Sequence, residues 1–91
     1  MLEKNLQQKI LQFCKKEGIL AVKVDSTSSR GWPDLTVLLP SGAVLFVELK
    51  TETGKLSKLQ AHTIERIKRN KGKAYVIRST DQFKELVASF A

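Results

Sequence analysis

A pair of apolar runs joined by a tight turn constrains the fold of this chain more than any other feature. Residues 34–39 and 43–49 flank Pro40-Ser41-Gly42, which fits a three-residue hairpin loop with proline at the first type I position and glycine at the left-handed bulge position. The odd-numbered residues then form one wholly apolar face, in which these residues oppose each other: Leu35 and Val47, Val37 and Leu45, Leu39 and Ala43, with Leu49 beyond them. A slip by one residue would mix the two faces, so the pattern and the turn predict the same register.

The same register brings charged residues together at the open end of the hairpin. Asp34 lies directly opposite Glu48, and Lys50 follows two residues later on the same face. Opposed Cβ atoms lie about 4.5–5.5 Å apart, so the two carboxylates repel each other unless a cation sits between them. Lys50 supplies part of that charge, and a hard divalent cation such as Mg²⁺ or Mn²⁺, bound by both carboxylates, supplies more.

The group of Asp34, Glu48 and Lys50 has a catalytic and a purely structural interpretation. A bound ion activates a water and stabilises charge on a phosphate, with the backbone carbonyl of Leu49 as a further ligand. Lys50 can orient or deprotonate the water, or neutralise the phosphate. However, Glu-x-Lys on a strand is commonly a solvated salt bridge, and Pro33-Asp34 is commonly a turn. The opposed acids strengthen the catalytic interpretation without excluding the other.

The rest of the chain alternates between helical and strand patterns. Apolar residues recur at helical spacing up to Cys14, and Gly18 ends this helix. A second helix starts with Ser57 as its N-cap and runs to about residue 70. The other segments are assigned as follows: a strand over 19–25, a polar loop over 26–33, strands over 34–39 and 43–49, a loop over 51–56, a strand over 73–78, and a last helix from 79 or 80 that buries Phe83, Leu86, Val87 and Phe90. The order α-β-β-β-α-β-α predicts an α/β fold around a four-stranded mixed sheet.

Size, charge and cysteine usage limit the functional classes. The 91 residues fit one domain, over 1–91, which is small enough to gain stability from pairing with a second copy. The formal net charge of +7, from 16 Lys and Arg against 9 Asp and Glu, suggests an anionic partner, most commonly nucleic acid. No apolar run reaches the roughly 18 residues of a membrane helix. The single Cys14, at a helical core position, indicates a buried thiol in a reducing, intracellular setting.

The hairpin residues also carry a resemblance to a known family. The resemblance lies in a first helix with Glu3, followed by Arg30-Gly31-Trp32-Pro33-Asp34, Phe46-Val47-Glu48-Leu49-Lys50, and Gly54-Lys55-Leu56-Ser57 leading to Gln60. Over nearly the whole chain, the sequence resembles the VRR-NUC family of the PD-(D/E)xK nuclease superfamily. We expect the domain to stand alone, as in the short viral and bacterial members that the chain resembles. The resemblance implies a restriction-endonuclease-like core that cuts DNA phosphodiesters with Mg²⁺ or Mn²⁺. Similarity to dimeric Holliday-junction-type resolvases further implies a homodimer.

The resemblance assigns roles to five residues. Asp34 and Glu48 would be metal ligands, with Lys50 catalytic, while Gln60 would point from its helix toward the site and Glu3 would approach the metal directly or through water. Gln60 also fits a capping box with Ser57, although a polar residue on the buried stripe of a helix needs a partner that the site would supply. Glu3 alternatively favours the helix N-terminus electrostatically.

Several basic or loop residues are candidates for DNA contacts. The predicted set consists of Arg30, Gly31, Lys55, Lys58, Arg66 and Arg69. Arg30 can hold a phosphate or simply be an exposed loop residue, and Gly31 permits close approach of backbone or DNA. The basic cluster over 66–73 is either a solvated helix end or a phosphate contact. Trp32 can pack in the core or in a dimer, or stack on a base, whereas His62 is predicted on the exposed side of its helix.

Three functions are compatible with these residues. The first is a metal-dependent, structure-selective DNA endonuclease that acts on branched DNA such as Holliday junctions, which the resemblance places in the cytoplasm of a viral or bacterial host cell. The second is a non-catalytic DNA-binding module that keeps the nuclease fold, and the intact acid-acid-lysine set argues against it. The third is a protein-interaction domain with an accidental motif, which would bind neither metal nor DNA.

Overall fold

The secondary-structure elements follow the predicted order. The computed structural model describes residues 2–25 and 30–91, so the predicted loop over 26–33 is described only from Arg30 onward. The elements are α1 (Glu3–Lys16), β1 (Leu20–Lys23), β2 (Leu35–Leu38), β3 (Val44–Leu49), α2 (Lys58–Arg69), β4 (Lys73–Ile77) and α3 (Thr80–Ala88). Within the described ranges, no helix has the length and apolar character needed to cross a membrane.

The sheet has the predicted mixed character and the predicted hairpin register. Its strand order is β1-β2-β3-β4, with antiparallel pairing between β1 and β2 and between β2 and β3, and parallel pairing between β3 and β4. Leu35 pairs with Val47 and Val37 pairs with Leu45, as the alternation predicted. Gly42 has a φ of 93°, the left-handed conformation that the turn requires at this position.

One face of the sheet, which we call the covered face, carries the main hydrophobic core. The odd-numbered residues of β2 and β3 point to it, and α1 and α3 pack against it. Phe83 of α3 is fully buried there, and its ring meets that of Phe13 edge-on at a centroid distance of 6.0 Å. Cys14 of α1 is also buried in this core, which confirms the predicted buried thiol. Burial raises the pKa of this thiol to about 11.

The opposite face, which we call the open face, is only partly covered. Helix α2 packs Ile64 and Ile67 against Ala74 of β4, with Phe46 of β3 beside them. The part of this face formed by β1 and the turn end of the hairpin has no helix over it among the described residues. Its apolar side chains remain between 39% and 58% exposed: Leu20, Val22, Leu38 and Val44, which together we call the open patch.

Strand β1 is shorter than the predicted strand over 19–25. Its ladder with β2 extends from Leu20 opposite Leu38 to Lys23 opposite Leu35. Val22, one of the apolar residues of this strand, is 52% exposed, whereas Ile19 is buried just before the strand starts. The alternation of apolar and polar residues therefore indicated a strand here, but it did not reveal which face α2 leaves uncovered.

Candidate active site

Three carboxylates meet at the end of the hairpin opposite the turn. Glu3 comes from the first residue of α1, Asp34 immediately precedes β2, and Glu48 is the fifth residue of β3. One carboxylate oxygen from each lies within 4.8 Å of the others. The hairpin register alone predicted that Asp34 and Glu48 would lie together, and α1 adds Glu3 from the other side of the sheet.

The carboxylate of Asp34 is held in place by the neighbouring strand. Its Oδ2 atom accepts a hydrogen bond of 2.8 Å from the backbone N–H of Leu49. Its backbone carbonyl accepts one of 2.9 Å from Val24 N, which extends the pairing of β1 with the segment before β2. Pro33, directly before it, is fully buried and fixes the approach of the chain. The side chain is therefore oriented before any ligand binds.

Glu48 is the most unusual charged residue in the described part of the chain. Only 2% of it is exposed, although it is an acid on a β-strand. Its pKa is raised to about 8, mainly by burial and next by the neighbouring Asp34, while Lys50 acts in the opposite direction. A buried carboxylate beside a second acid is costly without a compensating positive charge, so this position favours a cation.

Lys50 provides only part of that compensation. Its Nζ atom lies 3.9 Å from Glu48 Oε2, longer than a direct hydrogen bond, and its side chain is 15% exposed. Its backbone N–H donates to the carbonyl of Ile77 at 3.1 Å, which anchors the chain just after β3. The ammonium group is thus kept beside the carboxylates and can still reach a ligand on the solvent side.

Gln60 caps α2 and contacts the buried Glu48 at the same time. Its Oε1 atom accepts from Ser57 N at 2.9 Å, and its N–H donates to Ser57 Oγ at 3.1 Å, which completes a capping box at the start of α2. Its Nε2 atom donates to Glu48 Oε2 at 3.2 Å. The cap therefore fixes the amide so that its remaining donor faces the buried carboxylate.

Arg78 is a site-supporting residue that sequence reasoning missed. It follows β4, and its Nη1 atom donates to the carbonyl oxygens of Thr51 and Gly54 at 2.7 and 2.6 Å. These carbonyls belong to the loop that connects Lys50 to α2. An arginine directly after a strand gives no local signal of this role, because its partners lie 24 and 27 residues earlier in the chain.

The loop before Asp34 is packed tightly onto α2. Gly31 has a φ of 79°, and a Cβ atom there would lie 2.5 Å from Leu59 Cγ. The close approach that this glycine permits is therefore made to α2, and a contact with DNA stays a prediction. Trp32 packs edge-on against Phe46, with ring centroids 5.7 Å apart, and remains 40% exposed.

The other predicted DNA contacts lie on the surface around the carboxylates and along α2. Arg30 and Lys55 are exposed in the loops that flank the site, and Lys58, Arg66 and Arg69 are exposed on α2. Positions of this kind suit contacts with a phosphate backbone but are also normal for solvated side chains. His62 is exposed on the same helix, as predicted.

The donor atoms of the site fit a hard divalent cation. The three clustered residues offer only carboxylate oxygens, the ligands that Mg²⁺ and Mn²⁺ prefer. When Glu48 ionises beside Asp34, Lys50 at 3.9 Å balances only part of the negative charge, and a bound cation would favour this ionised form. The backbone carbonyl of Leu49 remains a predicted additional ligand.

Comparison with known proteins agrees with this geometry. The model of the VRR-NUC domain matches residues 1–81. The chain belongs to the VRR-NUC family. No curated protein matches it.

Two solved structures show how far this VRR-NUC fold is shared. A VRR_NUC domain superimposes with a TM-score of 0.84 and 29% sequence identity, covering 98% of this chain and 97% of that one. A VRR_NUC domain protein superimposes with a TM-score of 0.81 and 16% identity, covering 99% of this chain and 88% of that one. The second likeness concerns the fold alone. The matched residues 1–81 include the three carboxylates, Lys50 and Gln60.

Proposed function

We propose that this VRR-NUC chain is a metal-dependent, structure-selective DNA endonuclease that hydrolyses phosphodiester bonds in branched DNA such as Holliday junctions, with Mg²⁺ or Mn²⁺ as cofactor. The observation that carries the proposal is the cluster of Glu3, Asp34 and Glu48, whose carboxylate oxygens lie within 4.8 Å of one another beside the ammonium group of Lys50. A cluster of carboxylates that can bind a metal ion, next to the ammonium group of a lysine, is suited to the hydrolysis of a phosphate ester.

Each residue of the site has a distinct role in this proposal. Asp34 and Glu48 hold the ion, with the Leu49 carbonyl and Glu3 completing its oxygen ligands. The ion, when bound, supplies an activated water and stabilises the charge that develops on the phosphate. Lys50 orients or deprotonates that water, or neutralises the scissile phosphate. Gln60 keeps Glu48 directed toward the ion through its hydrogen bond to Oε2.

The surface around the site supports an anionic polymer as substrate. The chain has a net charge of +7, and five of its predicted DNA contacts are exposed: Arg30, Lys55, Lys58, Arg66 and Arg69, whereas Gly31 is half-buried against α2. Contacts to phosphates fix the position of DNA without reading its sequence, so selection by DNA shape is consistent with this surface. We include with the proposal a single domain over 1–91 and an intracellular, cytoplasmic location, which the buried thiol of Cys14 supports.

Cleavage by the Lys50→Ala variant is the test of this proposal. We expect wild-type protein to cut one or more branched DNAs in Mg²⁺ or Mn²⁺, and the variant to lose at least 100-fold in rate while its affinity for the same DNA changes little. Lys9→Ala, which removes an exposed lysine of α1, is the matched control and should cut like wild type. Cleavage by Lys50→Ala at the wild-type rate would overturn the assignment.

The alternative is a DNA-binding module that keeps the nuclease fold without catalysis. It predicts salt-sensitive binding of branched DNA and no cleavage in either metal. The retained set of two acids and a lysine, held by specific hydrogen bonds to Leu49 N and Gln60, weighs against this alternative. A protein-interaction domain with an accidental motif would in addition show no binding of Mn²⁺ in calorimetric titration.

A homodimer is part of the proposal, and the open patch is its expected interface. Leu20, Val22, Leu38 and Val44 form neighbouring positions on one sheet face, and a second copy would remove them from water. We expect sedimentation velocity to show a dimer for wild type and a monomer for Leu38→Lys, with Lys9→Glu as a surface control. A monomeric wild-type chain at high concentration would contradict this part of the proposal.

A further inference from the structure

A groove lies on the open face, directly beside the carboxylate site and apart from it. Its volume is about 380 Å³, within the range of small-ligand sites, and it runs between α2 and the aromatic pair Trp32 and Phe46. Thr63, Arg66 and Asn70 contribute polar groups to its α2 side. Neither the carboxylates nor Lys50 line it, so the proposed cleavage chemistry leaves this groove without a role.

The groove is placed at a short and defined distance from the carboxylates. Phe46 precedes Glu48 by two residues on β3, which is about 7 Å along a strand, and the ring centroid of Trp32 lies 5.7 Å from that of Phe46. Successive phosphates of a stacked strand are about 3.4 Å apart along the helix axis. If one phosphate of a DNA strand lies at the carboxylates, a nucleotide one or two positions away along that DNA strand would therefore lie at the groove.

The lining chemistry fits a nucleobase with its phosphate. Trp32 is 40% exposed, so part of its ring is free to stack, while Phe46 supports it edge-on from behind. Arg66 offers a guanidinium group that can bind a phosphate or stack on a base, and further basic residues follow it at the end of α2. An uncharged apolar peptide would not use this positive rim, and a base attached to an anionic backbone uses both the aromatic and the charged part.

We propose that this groove binds one unpaired nucleobase of the DNA substrate, stacked on Trp32, with an adjacent phosphate held by Arg66. A paired base inside a duplex has no free face for Trp32, so binding requires a nucleotide that is already unpaired or is displaced from the stack. The inference rests on the proposed function and names the feature of branched DNA that the site selects, which is an unpaired nucleotide one or two positions from the cleaved bond.

Trp32 is the only tryptophan in the chain and therefore reports on its own contacts. Its fluorescence should be measured in chelator, so that no cleavage occurs, during titration with three DNAs. These are a duplex with a single-stranded thymidine arm, the same duplex with an arm of abasic nucleotides, and a fully paired duplex. The first two carry the same phosphates, so a difference between them isolates the base. We expect quenching of Trp32 by the thymidine arm only. In a parallel titration followed by the fluorescence anisotropy of labelled DNA, we expect affinity for this arm on the order of 10- to 100-fold above that for the abasic arm.

Variants separate stacking from general binding. Because these variants lack the tryptophan, their binding is followed by the fluorescence anisotropy of labelled DNA. Trp32→Ala should remove the preference for thymidines over abasic nucleotides, and Trp32→Phe should retain part of it, which guards against loss of the fold as the cause. Arg66→Gln should weaken binding of both arms while leaving the preference in place. Lys16→Gln removes the same charge from the far end of α1 and should change neither quantity.

Equal affinity for the two arms, or quenching by the paired duplex alone, would overturn the inference. It would also be overturned if Trp32→Ala converted a dimer to a monomer in sedimentation experiments and DNA left the fluorescence of wild type unchanged, because a second copy would then occupy the groove. Absence of cleavage in Mg²⁺ and Mn²⁺ would count against the proposed function alone, since the fluorescence titration is made without metal.

Discussion

The two faces of the sheet differ in how completely helices cover them. On the covered face, α1 and α3 enclose the side chains of β2 and β3 almost completely, and Leu35, Val37 and Leu45 are fully buried. On the open face, α2 covers the β3–β4 side and leaves apolar residues such as Leu20 and Val22 more than half exposed. The covered face thus holds the main hydrophobic core, while the open face carries the exposed residues of the open patch.

The carboxylate site lies where the two faces meet. Glu48 points to the open face but is only 2% exposed, because Asp34, Lys50 and Gln60 surround it. Glu3 reaches the same point from α1 on the covered face. Burying an ionised carboxylate at this position costs free energy in the folded protein, and a bound cation would lower that cost.

The largest expected difference between the faces is in core stability. Phe83→Ala leaves a cavity on the covered face, and we expect it to lower the free energy of unfolding by about 3–5 kcal/mol. Urea unfolding followed by circular dichroism measures this loss. Val22→Ala on the open patch is the comparison. At a protein concentration low enough for the monomer, it should cost about 1 kcal/mol or less, since this side chain is 52% exposed in the single chain. Similar losses for the two variants would contradict the division between the faces.

The next effect is a pH-dependent stability that the site introduces. Glu48 has an ordinary pKa of 4.5 when unfolded and one of about 8 in the fold, so between these values folding takes up a proton. Its contribution to stability is therefore full below about pH 4.5 and is lost as the pH rises through about 8. Glu48→Gln cannot ionise, and we expect it to stabilise the metal-free protein by a few kcal/mol at pH 8 and much less at pH 5, because one pKa unit corresponds to about 1.4 kcal/mol.

Thermal unfolding in chelator at the two pH values measures this difference. Glu65→Gln, on the exposed side of α2, serves as the control for loss of one acidic residue. Added Mn²⁺ should raise the unfolding temperature of the wild-type protein at pH 8 and should change that of Glu48→Gln little. If Glu48→Gln altered the stability equally at pH 5 and pH 8, the raised pKa would not be the origin of the effect.

Much of this arrangement was predictable because it depends on local patterns. The turn residues and the alternation over 34–49 determined the hairpin register, and the register alone brought Asp34 and Glu48 together. The capping box at Ser57 was equally local, and it fixed the start of α2 and thereby the position of Gln60. The VRR-NUC resemblance, confirmed by the family match, supplied the nuclease type, which no spacing of residues could provide.

What could not be predicted depends on where distant segments meet. The pattern of β1 gave a strand but not the exposure of Val22, since that depends on how much of the sheet α2 covers. The position of Trp32 between core and solvent was likewise left open, because Phe46 and α2 determine it together. Arg78 carried no signal at all, as both of its acceptors are backbone carbonyls far away in the sequence.

Arg78 provides the most selective test of how the site is held, with a smaller expected effect on stability than that of Phe83→Ala. Arg78→Gln removes two hydrogen bonds from a charged donor to the loop after Lys50, and we expect a loss of about 1.5–3 kcal/mol in the free energy of unfolding. Because Asp34 and Glu48 are held by other bonds, Mn²⁺ affinity in calorimetry should change little. The cleavage rate should fall about tenfold or more through kcat, with KM nearly unchanged, as Lys50 loses its fixed position.

Two further variants decide whether Arg78 positions Lys50 or merely supports the fold. Arg78→Lys keeps the charge and can still donate to one carbonyl, so it should recover part of the cleavage rate. Lys9→Gln, on the exposed surface of α1, removes a charge without touching the loop and should behave like wild type. If the cleavage rate, Mn²⁺ affinity and stability all declined together in Arg78→Gln, the two hydrogen bonds of Arg78 would support the whole carboxylate site rather than position Lys50 in particular.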